Sequence, residues 1–121
     1  MVDLKQMLSR FLAIPGVRQA LLVGRDGLLI DGMTREGKED MEAVGAITTS
    51  GFCAAESLEK DISRGSLIGV IMEYERGLIS VEALGDFALI VTLFENASCL
   101  SRVRHLIKTS RNEFLEALDI A

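Results

Sequence analysis

The chain has 121 residues and a formal charge of −5, with 49% hydrophobic residues, no Trp, one Tyr and five Phe. That is one domain's length, with enough apolar material for a core of Leu, Ile, Val, Ala and Met that needs no disulfide or metal to fold. The acidic balance argues against nucleic acid, whose phosphates need a basic surface. No apolar run approaches the roughly 18 residues that cross a bilayer, so membrane insertion is not expected. The first residues, Met1 to Lys5, lack a charged-then-apolar leader, and two cysteines, Cys53 and Cys99, fit a reducing cytoplasm.

In chain order, Leu4, Met7, Leu8, Phe11 and Leu12 recur at helical spacing and predict an amphipathic helix stopped by Pro15-Gly16. Val17 to Val23 reads as a strand, Arg25-Asp26-Gly27 as a hairpin turn, and Leu28-Leu29-Ile30 as its partner strand. Asp31 to Glu39 is polar and is expected to be a surface loop. A second, long helix is expected over residues 40–62, with Met41, Val44, Thr48, Gly51, Ala55, Leu58 and Ile62 as its inward stripe, widened by Ile47 and Phe52, and Gly65 beyond its end. Three apolar runs follow, Leu67–Met72, Leu78–Leu84 and Phe87–Phe94, joined by links too short for anything but antiparallel hairpins. From Ser98 onward, Leu100, Val103, Leu106, Ile107, Ser110, Phe114, Leu115 and Leu118 mark a last helix, with Asn96 or Ser98 as its cap.

The order α-β-β-α-β-β-β-α, with no linker or repeat, predicts a single α/β domain over residues 1–121. Because the strands are nearly continuous in apolar residues rather than alternating, both sheet faces need cover, and three helices supply it: a three-layer α/β/α sandwich.

The central helix carries the clearest functional signal. From Ala43 to Ala55 no residue is charged. At about 100° per residue its outward side should carry Ala46, Thr49, Ser50, Cys53 and Ser57. The competing reading is a plain solvent face; a protein contact surface is preferred, because interface cores are depleted in charge.

Several strings together resemble the Roadblock domain family: Ile14-Pro15-Gly16-Val17, Arg25-Asp26-Gly27-Leu28-Leu29-Ile30, Gly69-Val70-Ile71-Met72-Glu73-Tyr74, Gly77-Leu78-Ile79-Ser80-Val81 and Leu84-Gly85-Asp86-Phe87-Ala88-Leu89-Ile90-Val91. That family includes roadblock-type dynein light chains and bacterial activators of the gliding-motility GTPase. The resemblance implies a five-stranded antiparallel sheet of the Roadblock/profilin-like kind, with the central helix alone on one face. It implies a homodimer, or a heterodimer with another Roadblock subunit, in which third strands pair edge to edge and central helices lie side by side. The seam residues would be Ala46, Ser50, Cys53, Ser66, Ile68, Val70 and Met72. The further partner would be a small Ras-like GTPase, met by Glu42, Thr49, Ser50, Glu56, Ser57 and Lys60, whose nucleotide cycle or localisation the dimer would modulate.

Chemistry of other kinds is sparse. No phosphate-binding loop pattern occurs, and Gly24-Arg25-Asp26-Gly27 reads as a turn. His105 with Cys53 or Cys99 is the one conceivable nucleophilic pair; an exposed helix histidine and two small thiols is the preferred reading. Cys99 and His105 do not share a helical face, so no metal site is expected, and no catalytic residue or cofactor is assigned. The alternative function, a small-ligand sensor or adaptor of the profilin/longin-like type, would need convergent polar groups among aromatics, which are few. Between Asn96 and Asn112 lie Arg102, Arg104, Lys108 and Arg111 and no acid. This basic helix side reads first as solvated, and second as a contact for an acidic partner or lipid headgroups.

Overall fold

The structure is a computed structural model that describes residues 3–35 and 40–119. Its elements are α1 (Leu4–Leu12), β1 (Val17–Gly24), β2 (Leu29–Thr34), α2 (Met41–Glu56), a one-turn α3 (Glu59–Ile62), β3 (Gly69–Tyr74), β4 (Gly77–Leu84), β5 (Ala88–Phe94), a 3-10 turn (Ala97–Cys99) and α4 (Leu100–Leu118). The five strands form one antiparallel sheet in the order β2-β1-β5-β4-β3. β2 and β3 are therefore its open edges.

Two apolar layers flank the sheet. Met7, Leu8 and Phe11 of α1 and Val103, Ile107 and Phe114 of α4 pack with Ala20, Leu22, Leu84, Ile90 and Phe94. Phe11 and Phe114 join the two helices, ring centroids 6.0 Å apart. On the opposite face Phe52 of α2 packs with Leu21, Val23, Val81, Leu89 and Val91. Alternate residues of each central strand thus enter different cores, which is why the strands read as continuous apolar runs.

Local chemistry sets the ends. Asp3 accepts the Lys5 N–H at 2.7 Å, and Asp40 accepts the Ala43 N–H at 3.2 Å, capping α1 and α2. Asn96 caps the 3-10 turn that leads into α4, accepting from the Ser98 N–H. Gly16 stands at φ +95°, and a Cβ there would lie 2.6 Å from the Cys99 Sγ. The turn after α1 therefore needs glycine both for its backbone and for the approach of the segment before α4.

Besides one-residue shifts such as the start of β2 at Leu29 and of β5 at Ala88, three boundaries differ from the sequence reading. β2 runs on to Thr34, through what was expected to be loop, because Gln19 to Leu22 of β1 pair with Thr34 to Asp31. An edge strand with a wet side carries polar residues such as Asp31, which holds Lys5 at 2.7 Å, and so imitates a loop. The rest of that expected loop, 36–39, lies outside the described residues.

The long central helix is also broken. α2 stops at Glu56; the Leu58 N–H turns back to Ala55 O in a tighter step, and the Ser57 hydroxyl donates to Ala54 O. The separate turn α3 then ends at Ser63 in the left-handed region. Leu58 and Ile62 consequently leave the expected inward stripe and are exposed. The third strand begins at Gly69 rather than Leu67, and the Leu67 N–H, on the free-edge side, is taken by the Glu59 carboxylate at 2.6 Å.

Candidate interaction surface

α2 is positioned by small residues on its inner side. Gly45 lies over Val23, where a Cβ would come within 3.1 Å of a Val23 methyl, and Thr48, Thr49 and Phe52 continue the buried line. The hydroxyls of Thr48 and Thr49 donate to backbone carbonyls one turn back, so these polar side chains are buried without loss. At the C-terminal end Arg25 donates to both Glu56 carboxylate oxygens at 2.8 Å and stacks its guanidinium 5.3 Å from the Phe52 ring centroid. This clamp ties α2 to the β1–β2 hairpin.

The expected partner-contact residues therefore divide. Glu42, Ser50, Ser57 and Lys60 are exposed, as are Ala46 and Cys53. Thr49 is not on the outward side: it is 4% exposed, with its hydroxyl 2.7 Å from Gly45 O. The sequence estimate centred the inward stripe on Val44 and Gly51, whereas the buried line runs through Gly45, Thr48 and Phe52, a rotation that carries Thr49 inside. Glu56 is half-buried in the Arg25 clamp and is committed there.

The expected seam also divides. Ala46 lies against Gly27 of the β1–β2 turn, its Cα 3.9 Å from where a Gly27 Cβ would be, and Cys53, two turns on, shares that flank. Gly51 lies on the other flank, where a Cβ would meet the Met72 methyl at 2.8 Å. Ala46 and Cys53 thus face the β2 edge of the sheet, while Ser66, Ile68, Val70 and Met72 lie at the β3 edge. They do not form one continuous seam. Next to β3 the helix offers Val44, Gly51 and Ala55 instead, with Ile47 above them.

Two residues of this surface escaped the sequence reading. Ile47 is 68% exposed and Leu28, at the hairpin, is 69% exposed. Ile47 had been assigned inward on hydrophobicity alone, and Leu28 to a paired strand. The signal that finds Ile47 is the small-residue column Gly45–Thr48–Thr49: a helix that lays its small side against a sheet turns the intervening large residue outward. Leu28 and Leu29 form, with Gly27, Glu42 and Ala46, an open depression of about 470 Å³.

The other candidate chemistry is dispersed. Cys99 is buried and its Sγ donates to Pro15 O at 3.3 Å. Cys53 is exposed on α2, on the opposite side of the sheet from His105 of α4. Among the described residues no group of three or more His, Cys, Asp or Glu could hold a metal ion, and no helix is long and apolar enough to cross a membrane. Of the basic residues on α4, Arg111 donates to Ala83 O at 2.8 Å and pairs with Glu82 at 3.3 Å. Burial pushes the Glu82 carboxyl pKa up, against the pull of Arg111 and then Arg104.

An open-edged five-stranded sheet with two helices on one face and a single central helix on the other is the architecture of a Roadblock domain. The family profile of the Roadblock/LC7 domain matches residues 3–94, and the chain belongs to that family. α4 lies beyond the matched stretch. Two uncharacterized proteins of Methanocaldococcus jannaschii, MJ0310 and MJ1340, are each 34% identical to it over 76 residues, 63% of this chain and 66% of theirs. The match thus spans just under two thirds of the length of these relatives. Among solved structures, MglB of Myxococcus xanthus superposes with a TM-score of 0.83 at 19% identity, covering 99% of this chain and 100% of that one. A Roadblock/LC7 domain from Streptomyces avermitilis gives 0.78 at 19% identity, covering 94% and 99%. An MglB described as having a tetrameric arrangement gives 0.77 at 22% identity, covering 88% and 81%. At these identities the structural likeness establishes the fold.

Proposed function

We propose that the protein is a non-enzymatic regulatory or scaffolding module that pairs with a second Roadblock chain and binds a small Ras-like GTPase through the outward side of α2. The observation that carries this reading is the crest of α2: no charged residue from Ala43 to Ala55, with Ile47 exposed along it and Leu28 beside it. Isolated exposed apolar residues are ordinary. An uncharged helix crest with an exposed isoleucine at its middle, and an exposed leucine on the hairpin that adjoins its flank, is the composition of an interface core. Membership of the Roadblock/LC7 family supports reading that surface as a docking face.

The pairing reading rests on β3. It is an edge strand with unpaired peptide groups, with Ile71 exposed on it and Ile68 exposed just before it, an arrangement that proteins otherwise protect with charge or proline. With a copy paired there, Val44, Ile47, Gly51 and Ala55 face the second α2, and Ala46, Ser50, Cys53 and Glu42 are left for the GTPase.

Regulation would work by differential affinity for the two nucleotide states. Arg25 is committed to Glu56 and Phe52, so the crest has no arginine to insert into a GTPase active site, and any stimulation acts through the GTPase's own residues. A Ras-like partner and an exposed free thiol at Cys53 both suit the cytoplasm. The ligand-sensor alternative has less support: between α2 and the sheet, where a ligand would lie, the space is filled by Phe52, Val81, Leu89 and Val91, all buried.

The test is Ser50→Arg, titrated calorimetrically against the Ras-like GTPases of the same genome, each loaded with GDP or a non-hydrolysable GTP analogue. Ser50 is exposed, so melting should stay within about 1 kcal/mol of the parent while binding is lost. Unchanged binding would remove α2 as the platform.

A further inference from the structure

The open β3 edge carries its own pairing code. Ala83 donates to Ile68 O at 3.2 Å, so Ile68 turns its peptide groups toward β4. Antiparallel ladders alternate, so Gly69, Ile71 and Glu73 turn their N–H and C=O groups to the free edge. The side chains of Ile71 and Glu73, and the bare side of Gly69, share the face of α1 and α4, because Gly69 pairs with Glu82, which bonds Arg111 of α4, and Glu73 pairs with Leu78 of that core.

A second copy can pair here only about a two-fold axis that sets outward residues opposite outward residues. An axis at Val70 pairs Gly69 with Ile71 but sets Glu73 opposite Leu67, whose N–H already donates to Glu59 at 2.6 Å. An axis at Met72 sets Ile71 against the Glu73 carboxylate and Gly69 against the turn residue Glu75. An axis at Ile71 pairs Gly69 with Glu73 in both directions and Ile71 with itself, so every outward N–H and C=O of the three residues finds a partner. It also sets exposed Ile68 opposite exposed Tyr74, and Val70 opposite Met72.

Beside Gly69, at this end of the β3 edge, lies a groove of about 500 Å³ shared between the α3 segment and α4, whose basic residues Arg64, Arg104, Lys108 and Arg111 outnumber its acids Glu59 and Glu82. Gly69 has no side chain to fill it. Lys108 makes no ion pair or hydrogen bond among the described residues, and neither does Glu73 at the strand's other end. We propose that β3 self-pairs about Ile71, and that this register sets Glu73 of each copy into the basic groove of the other, beside Arg104 and Lys108. The occupant of the groove is thus a second copy of this chain, matched to it by charge. The inference rests on the self-pairing proposed above and adds its register and its electrostatic latch.

Three variants that each add one cysteine, with the buried Cys99 retained, read the register directly. In a Cys53→Ala background, Ile71→Cys should give a disulfide-linked dimer under mild oxidation, since residues paired across the axis lie about 5.5 Å apart at Cα, within disulfide reach. Val70→Cys or Met72→Cys cross-linking in its place would overturn the register. Glu73→Lys should weaken the dimer roughly tenfold, each of two latches being a solvent-accessible pair, and Lys108→Glu added to it should restore affinity. A dimer by sedimentation that neither cross-links at Ile71→Cys nor responds to Glu73→Lys sinks this inference and leaves self-association standing. A parent chain that sediments only as monomer sinks the self-pairing itself.

Discussion

Replacing Ile47 by Ala separates the two roles a residue at mid-helix can have, because the two give effects of opposite sign. Fully burying an isoleucine is worth roughly 1.5–3 kcal/mol. Ile47 is 68% exposed in the single chain, so most of that gain is still available to a partner. Covering it would contribute about 1–2 kcal/mol per copy, or about 5- to 30-fold in Kd for each copy covered. In the isolated fold the side chain contributes little, and alanine is the better helix former by roughly 0.4 kcal/mol. Ile47→Ala should therefore keep or slightly raise the urea midpoint while weakening association. Sedimentation and calorimetry with the GTPase, run on the same preparation, show whether the loss falls on self-pairing, on the GTPase or on both. A loss of several kcal/mol in folding would mean that Ile47 belongs to the core. Unchanged folding and unchanged association would refute the interface reading of the crest.

Thr49→Arg, one residue from Ser50→Arg, should have the contrary outcome. Thr49 is buried against Gly45, so a charge there should unfold the domain, as circular dichroism would show. Gly16→Ala should cost about 1–2 kcal/mol for the positive φ alone, and more for the approach to Cys99; adding Cys99→Ala should recover the steric part, measured by urea denaturation. For Glu82, burial holds the folded-state carboxyl pKa above its usual value near 4.5, so the folded chain binds the proton more tightly than the unfolded one. That contribution is present at low pH and is lost as pH rises through the raised value. Relative to Glu82→Gln, the parent should therefore gain melting temperature as pH falls toward about 4; a constant difference across that range would contradict the raised pKa.

The order of elements and the two-sided sheet were legible because hydrophobic runs, short hairpin links and the Pro15-Gly16 stop are local signals. The five-stranded sheet and the layer assignment follow from them. What was not legible depended on partners distant in sequence. The break after Glu56 is bound up with the Arg25 clamp and with Glu59 reaching Leu67, neither of which leaves a periodic trace. The rotation of α2 was misjudged because hydrophobicity was used to find its inner side. Here the inner side is set by size, with Gly45, Thr48 and Thr49 allowing close approach, while Ile47 points out. Polar Asp31 read as loop for a related reason, since an edge strand needs apolar residues on one side only.

The rotation changes how the proposed surface is organised. Had the outward side been one patch, a single face of α2 would have served both the second copy and the GTPase, and the two would compete. With Gly51 against Met72 on one flank and Ala46 against Gly27 on the other, the helix has two separate sides, each adjoining a different edge of the sheet. A copy paired at β3 covers the Gly51 flank and leaves the Ala46–Cys53 flank free, so dimer and partner can be accommodated together. Ile47, between Gly51 and Ser50 on the crest, is where the two contacts meet. In the proposed arrangement, pairing that presses on Ile47 from one side fixes the surface that a GTPase would meet from the other. Coupling between the two proposed associations is expected to run through that residue and to show as a GTPase affinity that depends on protomer concentration in the parent and not in Ile47→Ala.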